Sequence, residues 1–179
     1  LDDRLGIGNA AVQFEACYTR RMCQKLGLCT PQDEEVPAHD QLLAIDLLQL
    51  MLNHEADYTN TFVRLTLDRD GQDGHDLDGT EPLFSSEAFS AWKTRWHARL
   101  DEQAQSRLEA AAQMKSANPF VIPRNALVEA ALEAAEARDM QPFNALLSVL
   151  QHPFDPESNI RAYQGVPKDS RGYVTFCGT

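Results

Sequence analysis

No run of this 179-residue sequence approaches the roughly 20 apolar residues that a membrane-spanning helix needs, and no basic segment followed by an apolar one stands at its start. Positive charge is also short. Sixteen Lys and Arg against 27 Asp and Glu leave a formal charge of -11, which repels phosphate backbones and anionic lipid. That balance argues against direct nucleic-acid or membrane-surface binding, although it leaves room for a local basic patch. Cysteine is scarce: Cys17, Cys23 and Cys29 stand six apart and Cys177 is distant, so no C-x-x-C pair suggests a redox motif or a zinc clip. The first three read as reduced structural thiols of a cytoplasmic-type protein. His39, His54, His75, His97 and His152 never fall at i, i+4, which removes support for a zinc hydrolase site. Neither a glycine-rich phosphate loop nor a G-x-S-x-G elbow occurs.

The 43% apolar and 24% charged composition is that of one ordinary globular domain. Its periodicity is helical. Phe14, Tyr18 and Met22 recur at i, i+4, i+8 beside Cys17 and Leu26 and predict a helix over 9–26, with Gly27 as a left-handed stop. A polar connector over 30–37 follows, and Asp40 suits the N-cap of a helix carrying Leu43, Leu47, Leu50 and Met51. Asp57 can cap a third helix that turns Phe62 and Leu65 inward. Phe89, Trp92, Trp96 and Leu100 mark the longest helix, over 86–113. Pro119 and Pro123 impose an extended entry, Pro123 suiting the first turn of the next helix, whose buried stripe would be Leu127, Ala130, Ala131, Ala134 and Ala135.

A last helix over 142–151 carries Phe143, Leu146, Leu147 and Leu150 and stops at Pro153. The absence of strand-helix alternation makes the class all-α, a single irregular domain of about six helices over 1–151. Residues 152–179 form an extended tail ending in the strand-like Tyr173-Val174-Thr175-Phe176 and in Cys177. The core is expected around Phe89, Trp92, Trp96, Phe143, Leu147 and Leu150. The opening Leu1-Asp2-Asp3-Arg4-Leu5 lacks an initiator Met, and Leu is too bulky a second residue for ordinary Met removal, so the chain reads as a piece of a longer protein.

Three places carry chemistry. The segment from Asp68 to Gly79 is dense in oxygen ligands, but no register puts Asp at position one and Glu at position twelve of an EF-hand loop; a calcium-binding helical protein stays an alternative resting on the 68–78 loop. Asp57-Tyr58-Thr59-Asn60-Thr61-Phe62 and Asn118-Pro119-Phe120-Val121-Ile122-Pro123-Arg124-Asn125 form two motif-like segments, although Arg124 and Asn125 equally suit a helix start. Cys177, third from the end on a Gly- and Pro-containing tail, has the access that thiol-disulfide exchange needs.

Taken in order with Lys25-Leu26-Gly27-Leu28 and Pro153-Phe154-Asp155, these segments resemble the C-terminal region of the selenoprotein O family, with its D-[FY]-T-x-T-F and N-P-x-x-x-x-R-N patterns. The family places selenocysteine or cysteine third from its end, and this chain ends Cys-Gly-Thr. The resemblance implies a parent with a kinase-like fold that transfers AMP from ATP, with magnesium or manganese, to hydroxyl side chains of proteins. It implies that the kinase-like part, absent from this chain, holds the catalytic machinery and is the partner of this region. No catalytic, cofactor or metal residue is assigned here, and Cys177 is the expected redox residue. A free-standing helical interaction module is the remaining alternative.

Overall fold

The computed structural model describes residues 7–31, 33–71, 77–155 and 160–166, the side chains of 7–9 and 160 excepted. All regular structure among them is helical: α1 (Ile7–Lys25), α2 (Ala38–Asn53), α3 (Tyr58–Arg69), α4 (Glu81–Phe84), α5 (Glu87–Glu102), α6 (Arg107–Ala117), α7 (Asn125–Glu136), α8 (Gln141–Leu150) and a 3-10 turn over Ile160–Tyr163. The all-α class stands, with more helices than expected. One reason is the short α4; the other is that the helix expected over 86–113 breaks in two. Ser106 caps α6 by accepting from the Glu109 amide, while the Glu109 side chain accepts from the Ser106 amide. That reciprocal capping box outweighs helix continuation across 103–106.

α5 is the hub, because its inward stripe carries the largest buried side chains. Phe89, Trp92, Trp96 and Leu100 are all buried, and the two indoles stack at 5.6 Å between ring centroids. Each indole N–H is satisfied: Trp92 Nε1 donates to Leu43 O of α2 and Trp96 Nε1 to Leu26 O beyond α1, both at 2.9 Å. Around them pack Met22, Leu26, Leu47, Met51, Phe62, Leu65 and Met114. A second cluster joins Val63, Leu67, Leu77, Phe120 and Val121, with Val149, Leu150 and Tyr163 leaning on it.

α1 ends in a Schellman motif, Leu28 N donating to Cys23 O and Gly27 N to Gln24 O, with Gly27 at φ +70° as expected. A side chain at Gly27 would also meet Met114 at 3.1 Å. The other end of the helix departs from expectation. Met22 and Leu26 are buried, but Phe14, Cys17 and Tyr18 are exposed, because only the last turns of α1 enter the main core.

Asp40 does not cap α2. Pro37 precedes the helix without any side-chain cap, and Asp40 sits fully buried in its first turn, held bidentate by Arg99 at 2.7 and 3.0 Å. A guanidinium fork is a better partner for a buried carboxylate than an exposed helix end.

Pro123 stays outside α7, whose N-cap position is Arg124. On α7 only Ala131 of the expected stripe is buried; Leu127, Ala134 and Ala135 are half-buried and Ala130 is exposed. On α8 it is Leu146 that is buried, whereas Leu147 is exposed and Phe143 and Leu150 are half-buried. α7 and α8 pack on each other as a hairpin beside the main core, so Phe143, Leu147 and Leu150 do not belong to that core. Residues 160–166, within the expected tail, fold back on the body: Gln164 is buried and its Nε2 donates to Phe120 O at 2.9 Å. Cys177 and Tyr173-Val174-Thr175-Phe176 lie outside the described residues.

The two halves of the expected core should therefore separate experimentally. Trp96→Ala should cost about 3–5 kcal/mol, since it opens a cavity and strands the Leu26 carbonyl, while Leu147→Ala should cost about 1 kcal/mol or less. Urea denaturation of both variants measures this; equal losses would refute the hub role of α5.

Candidate functional site

The two motif-like segments, more than 50 residues apart in sequence, meet in space. Asp57 begins the contact as the N-cap of α3, its Oδ1 accepting from the Asn60 amide at 2.8 Å. Its carboxylate also receives the Arg124 guanidinium: Nη1 donates to Oδ2 at 2.9 Å and Nη2 to Oδ1 at 3.0 Å. Nη2 reaches Asn60 Oδ1 at 3.2 Å as well. Asn60, fully buried, donates from Nδ2 to the carbonyls of Asp78 at 2.8 Å and Gln164 at 2.9 Å. Four chain segments are thus tied by one Asp, one Asn and one Arg: the start of α3, the 78–79 turn, the 118–124 strap and the 160–166 return.

Gly79 fits this tie by geometry. Its carbonyl accepts from the Asp57 amide at 2.9 Å, its φ is +75°, and an added Cβ would stand 3.0 Å from that of Asp57.

The other end of the strap is fixed by Asn118, also fully buried. Its Nδ2 donates to Lys25 O and to Thr66 Oγ1, both at 2.9 Å, and its Oδ1 accepts from Lys25 Nζ at 3.0 Å. Lys25 Nζ also lies over the Phe62 ring at 4.7 Å and the Tyr58 ring at 5.4 Å. Burial lowers the Lys25 pKa, the expected cost of seating an ammonium among rings and amides. The side chains of α5, the turn after it, α6 and the strap take up the carbonyls at the end of α1. Gln113 serves Gln24 and Leu28, Asn118 serves Lys25, Trp96 serves Leu26 and Gln103 serves Gly27.

The polar groups of this arrangement are committed to one another. The Asp57 carboxylate is committed to a guanidinium and a helix end. The amides of Asn60 and Asn118 are spent on backbone carbonyls and neighbouring side chains; Arg124 Nε is the buried polar atom of the tie that has no partner.

A second charged cluster occupies the start of the expected calcium loop. Asp68 accepts from Lys93 at 2.9 Å and lies 3.5 Å from His97, Asp70 accepts from Lys115 at 2.9 Å, and Arg107 donates to the Arg69 carbonyl at 2.9 Å. Burial first, then the Lys93 charge, lowers the His97 pKa against the opposing pull of Asp68. Asp68 and Arg69 belong to α3, and Gln72, Asp73, Gly74, His75 and Asp76 lie outside the described residues. Among the described residues no three His, Cys, Asp or Glu groups converge as metal ligands.

Sequence reading missed the Asp40–Arg99 pair and the Lys25–Asn118 contact. Asp40 shares the helical register of Leu43, Ala44, Leu47 and Met51, so its place on the inward face was a readable signal. Lys25 was marked only as part of the Lys25-Leu26-Gly27-Leu28 segment, with nothing to indicate Asn118 as its partner.

Against known proteins, the family described as protein adenylyltransferase SelO matches residues 6–151. The chain belongs to that family. It is 40% identical over 163 residues to the protein nucleotidyltransferase YdiU of Clostridium beijerinckii, covering 90% of this chain and 31% of the relative. It is 41% identical over 173 residues to that of Methylorubrum populi, covering 93% and 34%, and 41% identical over 175 residues to that of Halalkalibacterium halodurans, covering 97% and 33%. The chain thus spans about a third of the length of the curated relatives it matches.

Two outcomes follow from the geometry. Arg124→Ala should destabilise by about 3–5 kcal/mol, because it leaves the Asp57 carboxylate enclosed without its cation. With Asp57→Ala it should be non-additive by about 0.5–3 kcal/mol in a double-mutant cycle, and additive losses would dissolve the tie.

The thiols should differ too. Cys23 is buried and its pKa is pushed up to about 12, chiefly by burial and then by Asp40. Stability from keeping it protonated is full below the unfolded thiol value of about 8.5 and is lost as pH rises from there toward the folded value. Thiol titration of the native chain at pH 8 should modify Cys17 and Cys29 rapidly and Cys23 only on unfolding. Fast reaction of Cys23 would contradict its burial.

Proposed function

We propose that this chain is the helical C-terminal part of a protein adenylyltransferase. In the full polypeptide a Ser, Thr or Tyr hydroxyl of a protein substrate attacks the α-phosphorus of ATP, the AMP ester forms, pyrophosphate leaves and the hydroxyl proton passes to a base. The chemistry belongs to the kinase-like part, and this chain supplies structure. The observation that carries this reading is the use made of the family-like segments: Asp57, Asn60, Asn118 and Arg124 are occupied in holding five chain segments together, the end of α1 included. They form a fold determinant on a chain spanning about a third of relatives named protein nucleotidyltransferase.

Magnesium or manganese would balance the triphosphate charge and polarise the phosphoryl oxygens. Asp40, Asp57, Asp68 and Asp70 each face an Arg or Lys, which leaves these four carboxylates committed to protein cations. On this reading ATP and metal belong to the kinase-like part. A cytoplasmic setting suits the reading, and the described helices include none long and apolar enough to cross a membrane.

Cys177 completes the proposal as a redox residue. It would form a reversible disulfide with a cysteine of the kinase-like part, two thiols giving two electrons and two protons to a disulfide or peroxide oxidant.

Labelled ATP with magnesium or manganese and a generic protein acceptor tests the division of labour. The 179-residue chain should give no labelled product and the full-length polypeptide should. Transfer by this chain alone, or none by the full-length polypeptide, would overturn the reading. Peptide mapping of the oxidised full-length protein should find Cys177 linked upstream, and Cys177→Ala should make transfer insensitive to reductant.

A further inference from the structure

Among the described residues, the first half of α1 is left uncovered. Residues 10–18, half of a 19-residue helix, are all exposed, including Val12 at 66%, Phe14 at 73% and Tyr18 at 46%. Phe14 and Tyr18 stack at 6.2 Å on one side of the helix, next to the half-open Tyr58. Val12 lies on another side and borders a groove of about 360 Å³ between α1 and the 33–36 connector. Arg20 fixes that groove's far wall by donating to the carbonyls of Thr30, Pro31 and Glu34 at 3.1, 2.8 and 2.6 Å. Glu15, Asp33, Glu34 and Glu35 line it.

A helix held by packing at only one end, with aromatic side chains on its free end, is built to be covered. The curated relatives are about three times as long as this chain, so most of a full-length family member lies outside it. The acidic rim favours a basic occupant over an acidic one. A second copy of this chain, itself at formal charge -11, meets that rim poorly.

We propose that the exposed half of α1 and the acidic groove beside it are the seat of the kinase-like part of the same polypeptide, which lays an apolar surface on Phe14 and Tyr18 and basic side chains against Glu15, Glu34 and Glu35. This deepens the proposed function by naming the contact face, and it rests on that reading for the identity of the occupant.

Hydrogen exchange tests it in both polypeptides. Amides 10–18 should exchange rapidly in the 179-residue chain and at least about 100-fold more slowly in the full-length protein, independent of concentration. Phe14→Asp with Tyr18→Asp in the full-length protein should return these amides toward fast exchange while leaving α5 protected, which separates undocking from unfolding. Equal exchange in the two polypeptides, or protection unaffected by the double variant, would overturn the proposal. Protection that grows with concentration in the 179-residue chain would assign the face to a second copy instead, and overturn it equally. A full-length protein that transfers no AMP but protects residues 10–18 would sink the proposed activity and leave the contact standing.

Discussion

The pair of indoles on α5 is the interaction on which the rest of this fold depends. Trp92 and Trp96 bury the largest apolar surfaces in the molecule, and each must also place an N–H. One donates to a carbonyl of α2 and the other to the carbonyl just past α1, so hydrophobic burial and hydrogen bonding fix the same two neighbours. Arg99, on the same helix, adds the bidentate grip on Asp40. Once α5 has positioned the end of α1, the carbonyls there become acceptors for Gln103, Gln113 and Asn118, and the remaining helices are drawn in around one helix terminus.

Asn118 links this hub to the Asp57–Arg124 tie. Held to α1 at one end, the 118–124 strap delivers Arg124 to Asp57 at the other, and Pro119 and Pro123 keep it extended between the two. The two family-like segments thereby form a load path between helices. The same economy accounts for the charge pairs around Asp68 and Asp70, which stitch the end of α3 to α5 and α6.

Legibility in the sequence followed the range of the forces. The Trp stripe, the Gly27 stop and the Asp57 cap are local signals and were readable. The Ser106 and Glu109 capping box is equally local but was missed, because helix-forming residues on both sides suggested one unbroken helix over 86–113. Phe14 and Tyr18 misled because periodicity marks a face for burial without saying which molecule buries it. Leu147 misled similarly, since α8 packs chiefly on α7 and leaves Leu147 44% exposed. The Asp57–Arg124 contact spans 67 residues and Asn60–Gln164 spans 104, distances at which no pattern in one sequence declares a pair.

The central claim is that the family-like segments act in this chain by holding the fold. The most direct measurement is AMP transfer per folded molecule by a full-length Arg124→Lys variant, assayed well below its unfolding midpoint and alongside that midpoint. A lysine keeps the charge but loses the fork, so the account predicts a lower midpoint with the transfer rate unchanged within about twofold. A rate that collapses while the midpoint holds would place Arg124 in the chemistry and contradict the account.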